Sequence, residues 1–321
     1  MRRLSPYRRD VSIVMAAVLA VLTACGGGNP EPAATPSTAT TAVQPDAMSV
    51  AGDESVPEQA PIGVEEPLLR LAVLGDVGTG DENELATAGL VAAAAAGNPF
   101  DGLILLGDNV YENGDPERLD ATVFDPFAEV LDAGAALLPV LGNHDVRDGN
   151  AAGQVERFGL PGRWYSEELG PVLFVGLDSN LVDDDAQRVW LETVLANSDA
   201  PWIITAMHHP AYSGGHHGST EDVQEAWVPL FEEYGVDLVL AGHDHDYQRS
   251  VPINGITYLV SGAGARLRDA GYEDFTAYAE SVLHFLDIVV WEDRIEVSAI
   301  SRDGVFDGTT IAASALSAAS S

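Results

Sequence analysis

Residues 102–111 read Gly-Leu-Ile-Leu-Leu-Gly-Asp-Asn-Val-Tyr. An unbroken aliphatic run without polar alternation fits a strand buried on both faces, as in a parallel sheet. The Gly-Asp that closes it sets a carboxylate where the backbone turns away, and ligands gather outside the carboxyl ends of such strands. Apolar runs bounded by turn residues recur at 69–74, 102–106, 136–141, 172–177, 202–207, 237–241 and 256–260. Helical segments fit 83–96, 123–132, 184–196 and 220–234. Strands alternating with helices predict an α/β domain with parallel sheet. Late runs at 282–290 and 295–300 predict a closing antiparallel pair around Glu292-Asp293.

Polar motifs close five of these runs, at Asp76, Asp108, Asn143, His208 and His243. Seven of the eight histidines fall in three short clusters: His144; His208, His209, His216 and His217; His243 and His245. Carboxylate, amide oxygen and imidazole ligands delivered from successive strand ends are what a two-metal hydrolytic site requires. Asp108, on a second strand, can bridge two cations, and His243 and His245 can ligate adjacent ions. Asn143 offers a neutral oxygen, with His144 and Asp145 directly behind it. His284 stands in a late apolar run and reads as a core histidine.

The ends of the chain carry different signals. Arg2, Arg3, Arg8 and Arg9 precede an apolar stretch, 11–22, too short to span a bilayer comfortably. Leu22-Thr23-Ala24-Cys25 follows, with the only cysteine of the chain. It resembles a bacterial lipobox, which implies a signal peptide over 1–24 and a lipid on Cys25. The protein is then expected to be exported and membrane-anchored through that lipid, facing outside the cytoplasm. Residues 25–66 are rich in Gly, Pro, Ala, Ser and Thr and predict a disordered tether. A catalytic domain is expected over 67–308, and a low-complexity tail or last strand over 309–321.

All fifteen basic residues are Arg. Without residues 1–24, which hold four Arg and Asp10, 49 acidic residues face 11 Arg, a formal charge of −38. Such a surface excludes nucleic acid as a long-range-steered partner. A small phosphate ester is not excluded, because charges beyond about 8 Å are largely screened and local metal charge decides. Oligomeric state is not encoded in any pattern of the sequence.

Taken in order, Asp76, Gly107-Asp108, Gly142-Asn143-His144-Asp145, His208 and Gly242-His243-Asp244-His245 resemble the calcineurin-like metallophosphoesterases. Tyr111, three positions after Asp108, narrows the likeness to the purple, tartrate-resistant-type acid phosphatases. So do Arg163-Trp164-Tyr165-Ser166 and His208-His209-Pro210. The resemblance implies a four-layer α/β/β/α sandwich with a dinuclear metal site at strand C-terminal ends. It implies Asp76, Asp108, Tyr111 and His245 around Fe(III), with bridging Asp108, Asn143, His208 and His243 around Fe(II), Zn(II) or Mn(II). It further implies hydrolysis of a phosphomonoester by in-line attack of hydroxide. His144 and His217 would contact phosphate and protonate the leaving group, His217 being the better acid candidate on the family's spacing from His208, with Asp145 orienting His144. The alternatives are a divalent-metal phosphodiesterase or nucleotidase of the same superfamily, or an idle metal- or phosphate-binding lipoprotein. Met207 and Val77 depart from the family's usual residues without removing a ligand. The segment before Leu68 leaves no room for the extra β-sandwich of the large plant-type enzymes.

Overall fold

The computed structural model describes residues 65–313. The expected signal segment, Cys25 and all but the last two residues of the expected tether lie outside them, as does the chain beyond residue 313. Among the described residues no helix is long and apolar enough to cross a membrane.

The chain runs β1 (Leu69–Leu74), α1 (Glu82–Ala95), β2 (Gly102–Leu105), a π-helical turn (Asp120–Phe124), α2 (Ala128–Asp132) and β3 (Ala136–Pro139). Next come α3 (Ala151–Phe158), β4 (Tyr165–Leu169), β5 (Val172–Gly176), α4 (Asp185–Ala196) and β6 (Trp202–Met207). Then follow α5 (Glu221–Ala226), α6 (Val228–Glu233), β7 (Leu238–Ala241), β8 (Tyr247–Ser250) and β9 (Thr257–Ser261). β10 (Thr276–Glu280), β11 (His284–Val290), β12 (Arg294–Ser301) and β13 (Gly304–Ala312) complete it.

The strands form two sheets, ordered β13-β12-β11-β1-β2-β3 and β10-β8-β9-β7-β6-β5-β4. The first carries parallel strands β1-β2-β3 out to one edge, with antiparallel β11, β12 and β13 beyond β1. The second has a parallel centre, β5-β6-β7-β9, with antiparallel strands on both sides. The period of two along each strand sorts side chains between layers. Leu69, Leu71 and Val73 of β1 face the inter-sheet core, where they join Ile104, Leu138, Trp202, Ile204 and Leu240. On the reverse, Ala72 and Leu74 pack with Val91 of α1, Val123 and Val130. Ile203 and Met207 of β6 do the same against Leu191, Leu195, Val223 and Phe231 of the helices on the far side. The result is the α/β/β/α sandwich, and each large aliphatic or aromatic side chain so buried contributes about 1.5–3 kcal/mol.

Helix starts follow capping chemistry. The Asp81 side chain accepts from Asn83 and Glu84 N–H at 3.0 and 3.2 Å, and that of Asp184 from Ala186 and Gln187 N–H at 2.8 and 3.1 Å. The single helix expected over 220–234 is broken at buried Trp227 into α5 and α6. Pro229 has no N–H to continue the ladder, so the chain restarts there. A helix absent from the expected set, α3, follows Asp145, and the helix expected over 123–132 is a π-turn followed by the short α2.

Along one edge of the sandwich the two sheets are clamped. Arg249 on β8 donates to Asp307 on β13 through two nitrogens, at 2.7 and 3.0 Å, and Tyr247 OH donates to the same carboxylate at 2.8 Å.

Candidate metal centre

All seven expected ligands follow the carboxyl ends of parallel strands, and they come from both sheets. Asp76 follows β1, Asp108 and Tyr111 follow β2, and Asn143 follows β3. His208 follows β6, while His243 and His245 follow β7. Asp76, Asp108 and His243 have φ of 58°, 52° and 71°, left-handed values rare outside glycine. Each costs about 1–3 kcal/mol and is held by its surroundings. The Asp76 carboxylate accepts the His243 N–H at 2.9 Å, and Asp108 Oδ1 accepts the His144 N–H at 2.9 Å. The flanking glycines are spatial necessities. A Cβ on Gly107 (φ 89°) would stand 2.6 Å from His208 Nδ1, and one on Gly242 would stand 2.7 Å from Asp76 Oδ2.

Two donor groups share Asp108 between them. In the first, Tyr111 OH donates to Asp76 Oδ1 at 2.9 Å, and His245 Nε2 lies 3.2 Å from the phenol oxygen and 3.3 Å from Asp76 Oδ1. In the second, His208 Nε2 lies 3.0 Å from Asn143 Oδ1, 3.1 Å from His243 Nδ1 and 3.5 Å from Asp108 Oδ1. Asp76, Asp108 and His208 each bring one ligand atom within 4.8 Å of the others.

The electrostatics fit a cation. Burial, and then the neighbouring Asp108, hold the Asp76 carboxyl well above its ordinary range; burial raises Asp108 too. Burial pushes His208 well down, and brings His245 down to about 4. His208 Nδ1 sits 2.8 Å from the Leu106 carbonyl, an acceptor only, so Nδ1 carries the proton. Its Nε2 lone pair then faces the oxygens of Asn143 and Asp108. Acceptors converging on acceptors in a buried box are the donor chemistry of a metal site. Residues around both positions therefore fit a pair of ions.

His144 and His217 flank the cleft above the cluster, a space of about 190 Å³. His144 Nδ1 meets the Glu112 carbonyl at 2.7 Å, and its Nε2 is turned inward, 4.0 Å from Asp108 Oδ2. The His217 ring stacks on His243 with centroids 4.1 Å apart. Asp244 pins the loop beneath, accepting the His217 N–H at 2.8 Å and the Ser213 hydroxyl.

The structure corrects the expected task of Asp145. Its fully buried carboxylate does not meet the His144 imidazole. It accepts five hydrogen bonds, from Asn109 N and Nδ2, Val110 N, Gly142 N and Gln154 Nε2, at 2.8–3.1 Å. It ties together the loops after β2 and β3 instead. His209, to which the sequence assigned no role, also stands at the cluster. Its imidazole joins His208 and His243 in a cluster of ligand atoms within 4.8 Å, with Nδ1 2.8 Å from Ser179 Oγ. Arg147, Arg266 and Arg268 in the cleft wall were missed altogether. Their scarcity in so acidic a chain was the available signal. His216 lies outside the cleft, beside Gly214 and Gly215. His284 is buried between Ser261 Oγ and the Val282 carbonyl, at 2.9 and 2.8 Å.

Comparison with known proteins agrees with this geometry. The family model described as calcineurin-like phosphoesterase matches residues 69–247. Two uncharacterised Mycobacterium tuberculosis proteins are 31% identical over 150 residues, 37% of this chain. The chain spans only 28% of their length. Purple acid phosphatase 17 of Arabidopsis thaliana is 30% identical over 229 residues, 60% of this chain and 68% of the relative. Among solved structures, the purple acid phosphatase PPD1 from yellow lupin seeds superposes with a TM-score of 0.66 at 21% identity. That match covers 78% of this chain and 54% of the lupin chain. With two-metal donors at the strand ends of such a sandwich, and a family match across more than half its residues, the chain belongs to the calcineurin-like phosphoesterase family.

Proposed function

We propose that this protein is a dinuclear-metal phosphomonoesterase of the purple acid phosphatase type, acting on small phosphate esters. The observation that carries the reading is buried Tyr111, whose hydroxyl lies 2.9 Å from Asp76 and 3.2 Å from His245. A phenol oxygen beside two carboxylates and an imidazole is a hard, anionic set that suits Fe(III). Asn143, His208 and His243, with shared Asp108, suit Fe(II), Zn(II) or Mn(II). Two ions held there would supply the Lewis acidity that activates water and neutralises charge on phosphoryl oxygens.

The chain's own groups then orient and protonate. With Nδ1 occupied by the Glu112 carbonyl, His144 presents Nε2 to the cleft, placed to donate to a phosphate oxygen or to the departing alkoxide. His217 offers a ring packed flat on His243, with Nε2 2.8 Å from Arg268 Nη1. Before it hands a proton to a leaving group, it must exchange that hydrogen bond. The geometry therefore favours His144 as donor and His217 as a phosphate contact. Burial of Asp76, Asp108 and His208 excludes water from beneath the cluster. Export, cleavage after residue 24 and a lipid on Cys25 belong to the same proposal and rest on the sequence pattern alone.

The test is the visible spectrum of the purified protein supplied with iron, beside Tyr111→Phe, together with turnover of a phosphomonoester. A tyrosinate-to-Fe(III) band that vanishes in the variant is expected. A colourless, iron-loaded protein identical to its variant would sink the purple-phosphatase reading in favour of a divalent phosphodiesterase or nucleotidase.

A further inference from the structure

Three of the eleven arginines outside residues 1–24 stand in the wall of the cleft over the cluster: Arg147, Arg266 and Arg268. Seven of the others, Arg70, Arg157, Arg163, Arg188, Arg249, Arg294 and Arg302, lie within 4.0 Å of a carboxylate. The cleft arginines are poorly neutralised by comparison. Arg266 meets Glu112 Oε1 at 2.5 Å and covers the Tyr111 ring, its guanidinium carbon 3.7 Å from the centroid. Arg147 reaches only the Glu112 carbonyl, at 3.0 Å, and Arg268 only His217 Nε2, at 2.8 Å. One exposed carboxylate thus answers three guanidinium groups.

Placement matters as much as charge. Arg268 N–H donates to the His245 carbonyl at 2.9 Å, which fixes this loop to the strand end that carries two expected ligands. Arg268 also lines a second, more open cavity of about 530 Å³, beside Gly214, Gly215, His216 and Asp269. It therefore stands at the junction between the phosphate position and the path a leaving group would take outward. Guanidinium is the side chain suited to planar recognition of carboxylate and phosphate. A single exposed ion pair such as Arg266–Glu112 is weak and readily exchanged. Screening confines the repulsion from the acidic surface to short range, so local charge governs the cleft.

We propose that Arg266 and Arg268, aided by the field of Arg147, form a second anion subsite beside the metal centre. The favoured substrates are then phosphate esters whose alcohol carries a further carboxylate or phosphate. This rests on the phosphomonoesterase reading above.

The experiment compares kcat/KM of the metal-loaded full chain for three matched esters. They are 2-hydroxyethyl phosphate (neutral alcohol), phosphoglycolate (carboxylate) and ethylene glycol bisphosphate (second phosphate). The wild type should prefer at least one anionic ester over the neutral one by about tenfold or more, in keeping with charge-assisted pairing. The anionic ester preferred identifies the group the subsite takes. The ratio of anionic to neutral kcat/KM should fall about tenfold in Arg268→Gln and in Arg266→Gln. It should recover in part in Arg268→Lys and shrink in the wild type at high salt. Because the neutral ester is measured in the same protein, damage to His217 or to folding cancels from the ratio. Turnover of the neutral ester without an anionic preference, or a preference that survives both glutamine variants, would overturn the subsite alone. Failure to turn over any of the three would overturn the phosphatase reading and the subsite with it.

Discussion

Replacing Asp145 by Asn separates two accounts of that residue, a partner of His144 or a clip for the backbone. Oδ2 accepts from Asn109 N, Asn109 Nδ2 and Gly142 N, and Oδ1 from Val110 N and Gln154 Nε2. An amide in the same place must turn its NH2 toward two of these donors or toward three. At least two hydrogen bonds to a buried carboxylate are lost, and the donors are left facing another donor. At about 1–3 kcal/mol per stranded buried group, the loss is roughly 2–6 kcal/mol. For a domain of this size, 1 kcal/mol moves Tm by about 2–4 °C, so a fall of roughly 4–24 °C is expected. The loops released hold Asp108, Tyr111 and Asn143, so metal affinity should weaken in parallel. Urea and thermal unfolding of metal-free and metal-loaded protein read the first effect, and metal titration reads the second. If Asp145→Asn unfolded within 0.5 kcal/mol (about the scatter of a neutral surface change) and bound metal as before, while turnover alone collapsed, the clip would be wrong and an orienting role right.

Two further outcomes follow from the same structure. Burial holds His284 down to about 4, against about 6.5 in an unfolded chain. As pH falls the unfolded chain protonates first, so the stability this residue contributes is complete above about 6.5 and is lost progressively down to about 4. The amount is roughly 3 kcal/mol. Urea midpoints between pH 7 and 4.5 should therefore fall less steeply in His284→Gln than in the wild type, and parallel profiles would show that burial of this imidazole is not the cause. Gly107→Ala would force a Cβ against His208 Nδ1 at a φ of 89°. It should cost about 1–3 kcal/mol and at least tenfold in metal affinity; unchanged titration by Co(II) would contradict the packing argument.

Much of the scaffold follows from side-chain chemistry that the linear sequence displays. The doubly buried strands advertise themselves: 69–74 and 202–207 are apolar runs whose limits coincide with β1 and β6. The ligand positions are equally plain, because Gly-Asp, Gly-Asn-His and Gly-His-Asp-His stand where apolar runs stop. The strands that escaped notice are polar ones, and of β13 only the stretch from 309 was expected as a possible last strand. β4, β8, β10 and β13 carry residues such as Glu167, Glu168, Arg249 and Asp307, and owe their existence to pairing partners far away in sequence. Asp145 was misjudged for a related reason. Adjacency to His144 invited a local partnership, whereas its five donors include Gln154 on α3 and the backbone after β2. The cleft arginines lie on loops, where no periodicity marks direction, and only the folded chain brings Arg147 near Arg266 and Arg268.

Asp76, Asp108 and Asn143 leave one sheet, while His208, His243 and His245 leave the other. Ions bound among them would be rivets through the seam, and the edge of the sandwich at β8 and β13 already has its own rivet in Asp307. Separating the sheets would then mean surrendering the ions, so the melting temperature becomes a meter of free metal. At a hundred times the dissociation constant one such site adds about 2.7 kcal/mol to the folded state. A cell that starves this protein of metal would lose the molecule itself to unfolding and proteolysis as well as its turnover.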